Sequence, residues 1–453
     1  MAGEVIAQEP AAPALGAVRR RTRLLGKLRT RALARMGWGL ADQAVSSLTN
    51  VAVSFYLVHV LAPTAFGAFS LAFISYGFAL NASRGLSTDP LMVRYSGVEV
   101  KRWRRAVGGA TGTAITVGLV SGIVSITAAI ALGGVTGAAF LALGLTLPGL
   151  MLQDSWRYSF FAAGRGFHAF LNDSIWALIM APFIVILRLT GHATVFWVIM
   201  AWGLSAAGAA AVGPLQARVI PWVTQTWFWV HLHRDLGPRY LAEGTIGNSG
   251  IQVRGYTLSF LLGLTSLAYF QAANTLYGPV NIVYAALGLV TIPEAARVLR
   301  RSPSKLPLFC MAIGSGMAAV GLGWGVVLLI ALPKGLGSFM LGPIWRPTYP
   351  LVFPLVVSAV GSGLSCGTGA GLHALGAARK SLRSVTIGTF ILVAFSLGGA
   401  VIGGAVGTCW GTAAAMWTTS AIYWVQLLSA MREANISTPG LPGRGVRQGR
   451  HRG

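Results

Sequence analysis

Lysine and arginine fall almost entirely in every second gap between the apolar stretches of this chain, and that alternation constrains its architecture more than any other feature. Hydropathy divides the sequence into twelve apolar segments, approximately 37–60, 65–86, 107–130, 134–153, 169–190, 194–217, 241–267, 271–295, 307–332, 350–374, 384–404 and 406–429. Thirty-one of the 35 cationic residues lie in the two tails or in the gaps after even-numbered segments. Arg188, Lys334 and Arg346 lie on the opposite side, and Arg254 falls inside a segment. Positive loops are retained in the cytoplasm, so both termini are expected there. A helix of about 22 residues spans about 33 Å, enough to cross a hydrocarbon core of about 30 Å with modest tilt.

The fold class expected is therefore an all-α polytopic membrane protein, with about twelve transmembrane helices in two six-helix lobes. With 453 residues, 54% of them hydrophobic and 10% charged, the crossings use up the length and leave no room for a soluble domain. The expected organisation is a basic, disordered cytoplasmic tail (1–35), a first lobe (36–218), a cytoplasmic interfacial linker (219–240), a second lobe (241–430) and a basic tail (431–453). Trp222, Trp227 and Trp229 suit the linker to the membrane interface. The net charge of +24 is dispersed over loops and tails, which argues for topology and attraction to anionic lipid, and against nucleic acid as a partner. Cys310, Cys366 and Cys409 read as small hydrophobes. No cofactor or metal site is expected: His231 and His233 lack an acidic or thiol complement.

Weak internal symmetry points to two parallel repeats. Ser54-Phe55-Tyr56-Leu57 resembles Ser259-Phe260-Leu261-Leu262, and Ala162-Ala163-Gly164-Arg165 resembles Ala374-Leu375-Gly376-Ala377.

Polar residues inside the apolar segments mark candidate sites. Asp42, Ser46 and Asn50 recur every four residues and form a stripe on one face of the first helix. Asp42 has two readings, an interfacial acid paired with Arg35 or an ion-coupling group. In the seventh segment, Glu243, Gly247, Gly250 and Arg254 share one face. A midplane Arg costs about 2.5–3.5 kcal/mol on insertion scales and must meet a partner or a watery cavity. Its planar fork holds two phosphate oxygens at once; the alternative is an ion pair with Asp42 or a carbonyl. Gln252, Ser249, Tyr256 and Ser259 point in other directions, so little of this helix suits lipid contact. Gln271, Asn274, Tyr277 and Asn281 continue the pattern, and Gly278-Pro279 interrupts the ladder there, freeing carbonyls for a cavity or simply kinking the helix. Arg84 sits one turn from Asn81 at the end of the second segment. All 11 acids map to the cytoplasm or the membrane interior, which removes the external carboxylate base that a glycosyl-transferring enzyme needs; a P-loop is missing too. The chain is not expected to be an enzyme.

The run Gly39-Leu40-Ala41-Asp42-Gln43, through Leu61-Ala62-Pro63 to Phe66-Gly67-Ala68-Phe69, resembles the start of polysaccharide exporters of the multidrug/oligosaccharidyl-lipid/polysaccharide exporter superfamily. Gln153-Asp154-Ser155-Trp156-Arg157-Tyr158 with Gly164-Arg165 and Leu171-Asn172-Asp173, and Leu341-Gly342-Pro343-Ile344-Trp345, are similar to later junctions of that family. The likeness covers about residues 36–430. It implies two lobes in a V around a central cavity, alternating access without covalent chemistry, and cavity arginines that attract a pyrophosphate. Arg84 and Arg254 are the residues available for that role, with Asn50, Gln252, Asn274 and Asn281 as further substrate contacts and Asp42 for ion coupling. The expected function is a flippase for a polyprenyl-pyrophosphate-linked glycan in a bacterial plasma membrane, serving cell-surface polysaccharide biosynthesis. Its expected partners are membrane lipid, the lipid-linked glycan and glycan assembly enzymes. A cation-coupled multidrug exporter of the same superfamily is the alternative.

Overall fold

The computed structural model describes residues 37–39, 41–43 and 45–434, the side chains at 243, 247, 285, 286 and 289 excepted. Most of the N-terminal tail, Arg35 within it, and most of the C-terminal tail therefore lie outside the described residues. The described residues are almost entirely helical: α1 (37–39, 41–43 and 45–60), α2 (Pro63–Ser83), α3 (Asp89–Tyr95), α4 (Val100–Leu132), α5 (Gly134–Ala162), α6 (Gly166–Leu189), α7 (Val195–Ala217), α8 (Thr226–Leu232), α9 (Gly237–Leu276), α10 (Gly278–Arg301), α11 (Leu306–Ala331), α12 (Gly337–Leu341), α13 (Trp345–Ala374) and α14 (Ala378–Glu433).

Two of these helices are too long for one crossing, and each contains its own reversal. In α9 the break is Gly263, at φ 81° and ψ 167°, a conformation open to glycine alone. The Arg254 guanidinium lies 4.8 Å from the centre of the Phe270 ring, although sixteen residues of unbroken helix would separate them by about 24 Å. The helical arms of this hairpin are crossing seven and the first part of crossing eight, which α10 completes. In α14 the break is at Gly403–Gly404, and Gly399 packs on the Gly407 backbone across it. Counted this way, the described residues make twelve crossings, matching the sequence reading in number.

The boundaries differ from that reading in two instructive places. The seventh segment ends at Gly263, not near residue 267, because the turn lies within an apolar run that hydropathy cannot divide. The fourth crossing continues to Ala162, nine residues beyond its expected end, and α2 passes through a π-helical turn (Arg84–Thr88) into α3. Arg84 and Arg157 were counted among the cytoplasmic-gap cations, but both belong to the helical bundle and find acidic partners there. The expected break at Gly278-Pro279 is present, with Tyr277 between α9 and α10. The Leu276 carbonyl beside it accepts a hydrogen bond from the Trp324 indole at 2.8 Å, so a neighbouring helix satisfies it.

Each lobe packs internally through α4, α5 and α7 or through α11, α13 and α14, and the lobes meet along α2 and α9. That seam is tight at both ends. A Cβ on Gly67 would collide with the Leu264 carbonyl, and one on Gly85 would lie 2.6 Å from the Leu241 nitrogen. Close backbone approach of this kind is how helices gain dispersion energy in a solvent as apolar as their side chains. Leu57, Phe66, Leu143, Leu258 and Leu267 lie in the main core, and Trp156, Phe160 and Trp229 belong to a second cluster at the end of the first lobe, where α8 packs on α4. The three cysteines are free thiols.

In a cysteine-free background, single cysteines at the exposed positions Thr64 and His192 should react with an impermeant thiol reagent added outside intact cells. Cysteines at Ser96 and Arg301 should react only after the cells are opened. The reverse pattern would invert the topology and the leaflet to which every site below is assigned.

Candidate functional site

Two polar centres occupy the two lobes, and their chemistry is opposite. In the first lobe, α5 carries Gln153, Asp154 and Arg157 at spacings of three and four residues, so they project from one side of the helix. Arg157 Nε donates to Asp42 Oδ2 at 2.7 Å, and the same guanidinium reaches Asp173 of α6 at 3.4 Å, an ion-pair distance without hydrogen-bond geometry. Arg84 grips Asp154 with both arms, Nε to Oδ2 at 2.9 Å and Nη2 to Oδ1 at 2.7 Å. Gln153 donates to Asp173 at 2.6 Å, and Asn172 anchors the cluster to the Ala209 carbonyl of α7. The three carboxylates are buried, and the two cations are largely so.

Three carboxylates facing two guanidiniums leave a formal excess of one negative charge. Asp42 Oδ1 and Asp173 Oδ2 accept no hydrogen bond among the described residues. Uncompensated charge at this depth is costly, so the cluster favours either a proton or a small cation. A pocket of about 10 Å³ beside it, lined by Ser46, Thr49, Asn50 and Asp173, has room for a particle the size of one water.

The second lobe holds a cavity of about 330 Å³ between α9, α10, α13 and α14. Arg254 is half-buried in its wall. Its Nη1 donates to the Thr412 hydroxyl at 3.3 Å, and its guanidinium stacks over Phe270. The rest of the wall is rich in hydroxyls and amides, including Asn274, Asn281, Ser358 and Ser362, and among the described lining residues no carboxylate answers the arginine. Arg254 Nε, Tyr277 OH and Thr419 Oγ1 belong to residues of this wall but are shielded from solvent, and they meet no hydrogen-bond partner among the described residues. A cation among hydroxyls and amides, with no facing carboxylate, suits an acceptor-rich ligand.

Arg254, Asn274 and Asn281 of the expected substrate residues thus come together. Arg84, Asn50 and Gln252 lie elsewhere. Arg84 is held by Asp154, and Asn50 lines small pockets of the first lobe, one of them shared with Gln271. Gln252 is buried on the opposite side of α9 against Gly77 of α2. Asp42 pairs with Arg157, and Arg254 does not pair with Asp42. On the Arg254 face, Gly250 packs near Thr389 and Leu392 of α14. The side chains of Glu243 and Gly247 lie outside the description. Sequence reasoning missed Asp154, Arg157 and Asp173 as members of one site. The available signal was Asp154 three residues before Arg157 within a run otherwise fit for helix.

Arg157 supports two buried carboxylates, so Arg157→Ala should lower unfolding stability by about 3–5 kcal/mol in detergent solution. Adding Asp42→Asn to that variant should restore part of the loss. An Arg157→Ala protein as stable as the parent would show that the network does not hold the first lobe together.

No protein-family model matches the chain, and no curated protein matches it by sequence. Solved structures do match its fold over nearly its full length. A multidrug resistance MATE family transporter of the MOP superfamily, in its inward-facing conformation, superposes with a TM-score of 0.68 at 13% identity, covering 88% of this chain and 99% of that one. The lipid II flippase MurJ in an inward closed conformation gives 0.67 at 10% identity, covering 89% and 88%. A MOP superfamily transporter from Pyrococcus furiosus gives 0.56 at 16% identity, covering 90% and 95%. The chain is a multi-pass membrane protein whose two-lobed, all-helical fold is the one these MOP superfamily structures share.

Proposed function

We propose that this protein is a flippase that moves a polyprenyl-pyrophosphate-linked glycan from the inner to the outer leaflet of a bacterial plasma membrane, for cell-surface polysaccharide biosynthesis. The observation that carries this reading is the Arg254 cavity: one cation, many hydroxyls and amides, and no carboxylate among its described lining residues. Such a lining suits an anionic, hydroxyl-bearing headgroup and repels a cationic drug. Asn274 and Asn281 add amide contacts suited to sugar hydroxyls.

A place for the chain of such a lipid exists on the other side of the same helix. An apolar groove of about 730 Å³ runs between α2, α4, α5 and α9, bordered by Leu71, Val120, Val124, Leu143 and Phe260. Tyr256 and Ser75 join by a hydrogen bond of 2.5 Å at its inner edge. Headgroup and prenyl chain would thus bind on two sides of α9. The fold supports the reading as well, since MurJ, which shares it, is a lipid II flippase.

Energy would enter through the acidic cluster of the first lobe, with Asp42 and Asp173 taking up a proton or sodium ion as the lobes rearrange. That cluster is also the observation favouring the second reading, a cation-coupled exporter of small amphipathic cations, since excess carboxylate attracts positive charge. The sign of the cavity where substrate would bind favours the flippase. Glycosyltransferases or other glycan assembly enzymes would be its working partners.

Arg254→Ala should abolish delivery of lipid-linked glycan to the outer leaflet, normalised to inserted protein. Arg254→Lys, which keeps the charge but loses the fork, should weaken it about 10- to 100-fold, corresponding to about 1.5–3 kcal/mol per charged hydrogen bond. Neither change should hinder insertion, because Lys costs about as much as Arg and Ala less. Wild-type flux from the Ala variant would remove the main support for a substrate anion at this site.

Asp42→Asn should abolish transport driven by an imposed proton or sodium gradient while leaving the protein folded and inserted. Undiminished gradient-driven transport would assign Asp42 a purely structural role beside Arg157.

A further inference from the structure

Where α4 begins and α7 ends, the rim of the first lobe holds a groove of about 1040 Å³ that the transport reading does not use. Lys101, Arg104 and Arg105 stand at i, i+3 and i+4 on α4, so they share a face, and Arg218 joins them from the end of α7. One carboxylate, Glu99, opposes these four cations in the wall. Arg218 has φ 56°, the one positive φ of a non-glycine residue among the described residues. A left-handed residue with a side chain is strained, and such strain collects at binding sites. Arg104 Nε is shielded from solvent and meets no acceptor among the described residues.

The same groove has an apolar side. Leu215 and Ile220 are 78% and 73% exposed, and Trp227 on the neighbouring α8 is 80% exposed, as an interfacial anchor would be. Trp222 is fixed against α4: its amide donates to the Gly108 carbonyl at 2.8 Å, and its own carbonyl lies against Gly112. The linker to the second lobe is therefore clamped to α4 beside the cations.

We propose that this groove binds one anionic phospholipid of the cytoplasmic leaflet, its phosphate between Arg104, Arg105 and Arg218 and its acyl chains along Leu215 and Ile220. A soluble phosphate would leave the exposed apolar wall unused, whereas a lipid uses both halves of the site. The bound lipid bridges α4, α7 and the linker, and so stabilises the junction between lobes.

The test uses the purified full chain in detergent, titrated with phosphatidylglycerol or phosphatidylcholine. Bound lipid is read by native mass spectrometry and melting temperature. Phosphatidylglycerol should bind and raise the melting temperature, and phosphatidylcholine should not. Each interfacial cation is worth about fivefold in such attraction, so a triple Arg104→Gln, Arg105→Gln, Arg218→Gln variant should lose on the order of a hundredfold in apparent affinity. A charge-matched control, Arg300→Gln, Arg301→Gln, Arg379→Gln in the second lobe, should keep the parent's affinity. Should the groove triple fail to fold, the single Arg105→Gln change should still cost about fivefold. Equal losses in groove and control variants would reduce the effect to diffuse attraction and overturn the proposal. So would stabilisation by inorganic phosphate as strong as that by phosphatidylglycerol, which would make this a site for a soluble anion. None of these readouts involves transport, so the outcome is independent of the flippase reading.

Discussion

The expense of charge in a low-dielectric interior governs both polar centres of this protein. An arginine or aspartate carried into the bilayer region must find a partner, a cavity or a proton. The first lobe answers with partners: Arg84 closes on Asp154 in a two-armed pair, and Arg157 bridges Asp42 and Asp173. These contacts tie α1, the end of α2, α5 and α6 into one body. The second lobe answers with a cavity, where Arg254 has, among the described residues, a hydroxyl at 3.3 Å and the face of Phe270.

This division explains what could be read from the sequence and what could not. Twelve crossings and their alternating polarity are legible because apolar length and the distribution of Lys and Arg are properties of the chain itself. Arg254 is legible too, since it is the one cation inside a membrane-length segment, far from either end. The first-lobe network is not, because its members lie on separate helices. A hydropathy reading ends a segment where charges begin, and so it ended the fourth crossing at 153, just before Asp154 and Arg157. Those charges are compatible with the bundle because Arg84, Asp42 and Asp173 neutralise them from α2, α1 and α6, and no local window contains that information.

The reversal at Gly263 was hidden for a related reason. Residues 257–270 carry no charge and only scattered Ser and Thr, so the turn leaves no trace in hydropathy; one glycine with a positive φ makes it. Moving that turn by a few residues matters for the site. It sets Phe270 opposite Arg254 and assigns Asn274 and Asn281 to the cavity, with the joint at Tyr277 between them. Gln252, two residues from Arg254, falls instead into the seam with α2, because neighbours on a helix point about 100° apart per residue.

The helix α9 therefore connects three environments. Its Gln252 and Gly255 side meets α2 of the other lobe, its Gly250 and Arg254 side borders the polar cavity, and Tyr256 with Phe260 borders the apolar groove. Between the two lobes the formal charge changes sign, from a cluster with one carboxylate in excess to a cavity with one guanidinium in excess. Each centre is incomplete in the direction that the other could compensate at close range, yet separate helices keep them apart. In the reading proposed above, the first lobe takes up a cation and the second an anion. Any ligand that neutralises one of them removes a desolvation cost and so stabilises whichever arrangement of the two lobes binds it best.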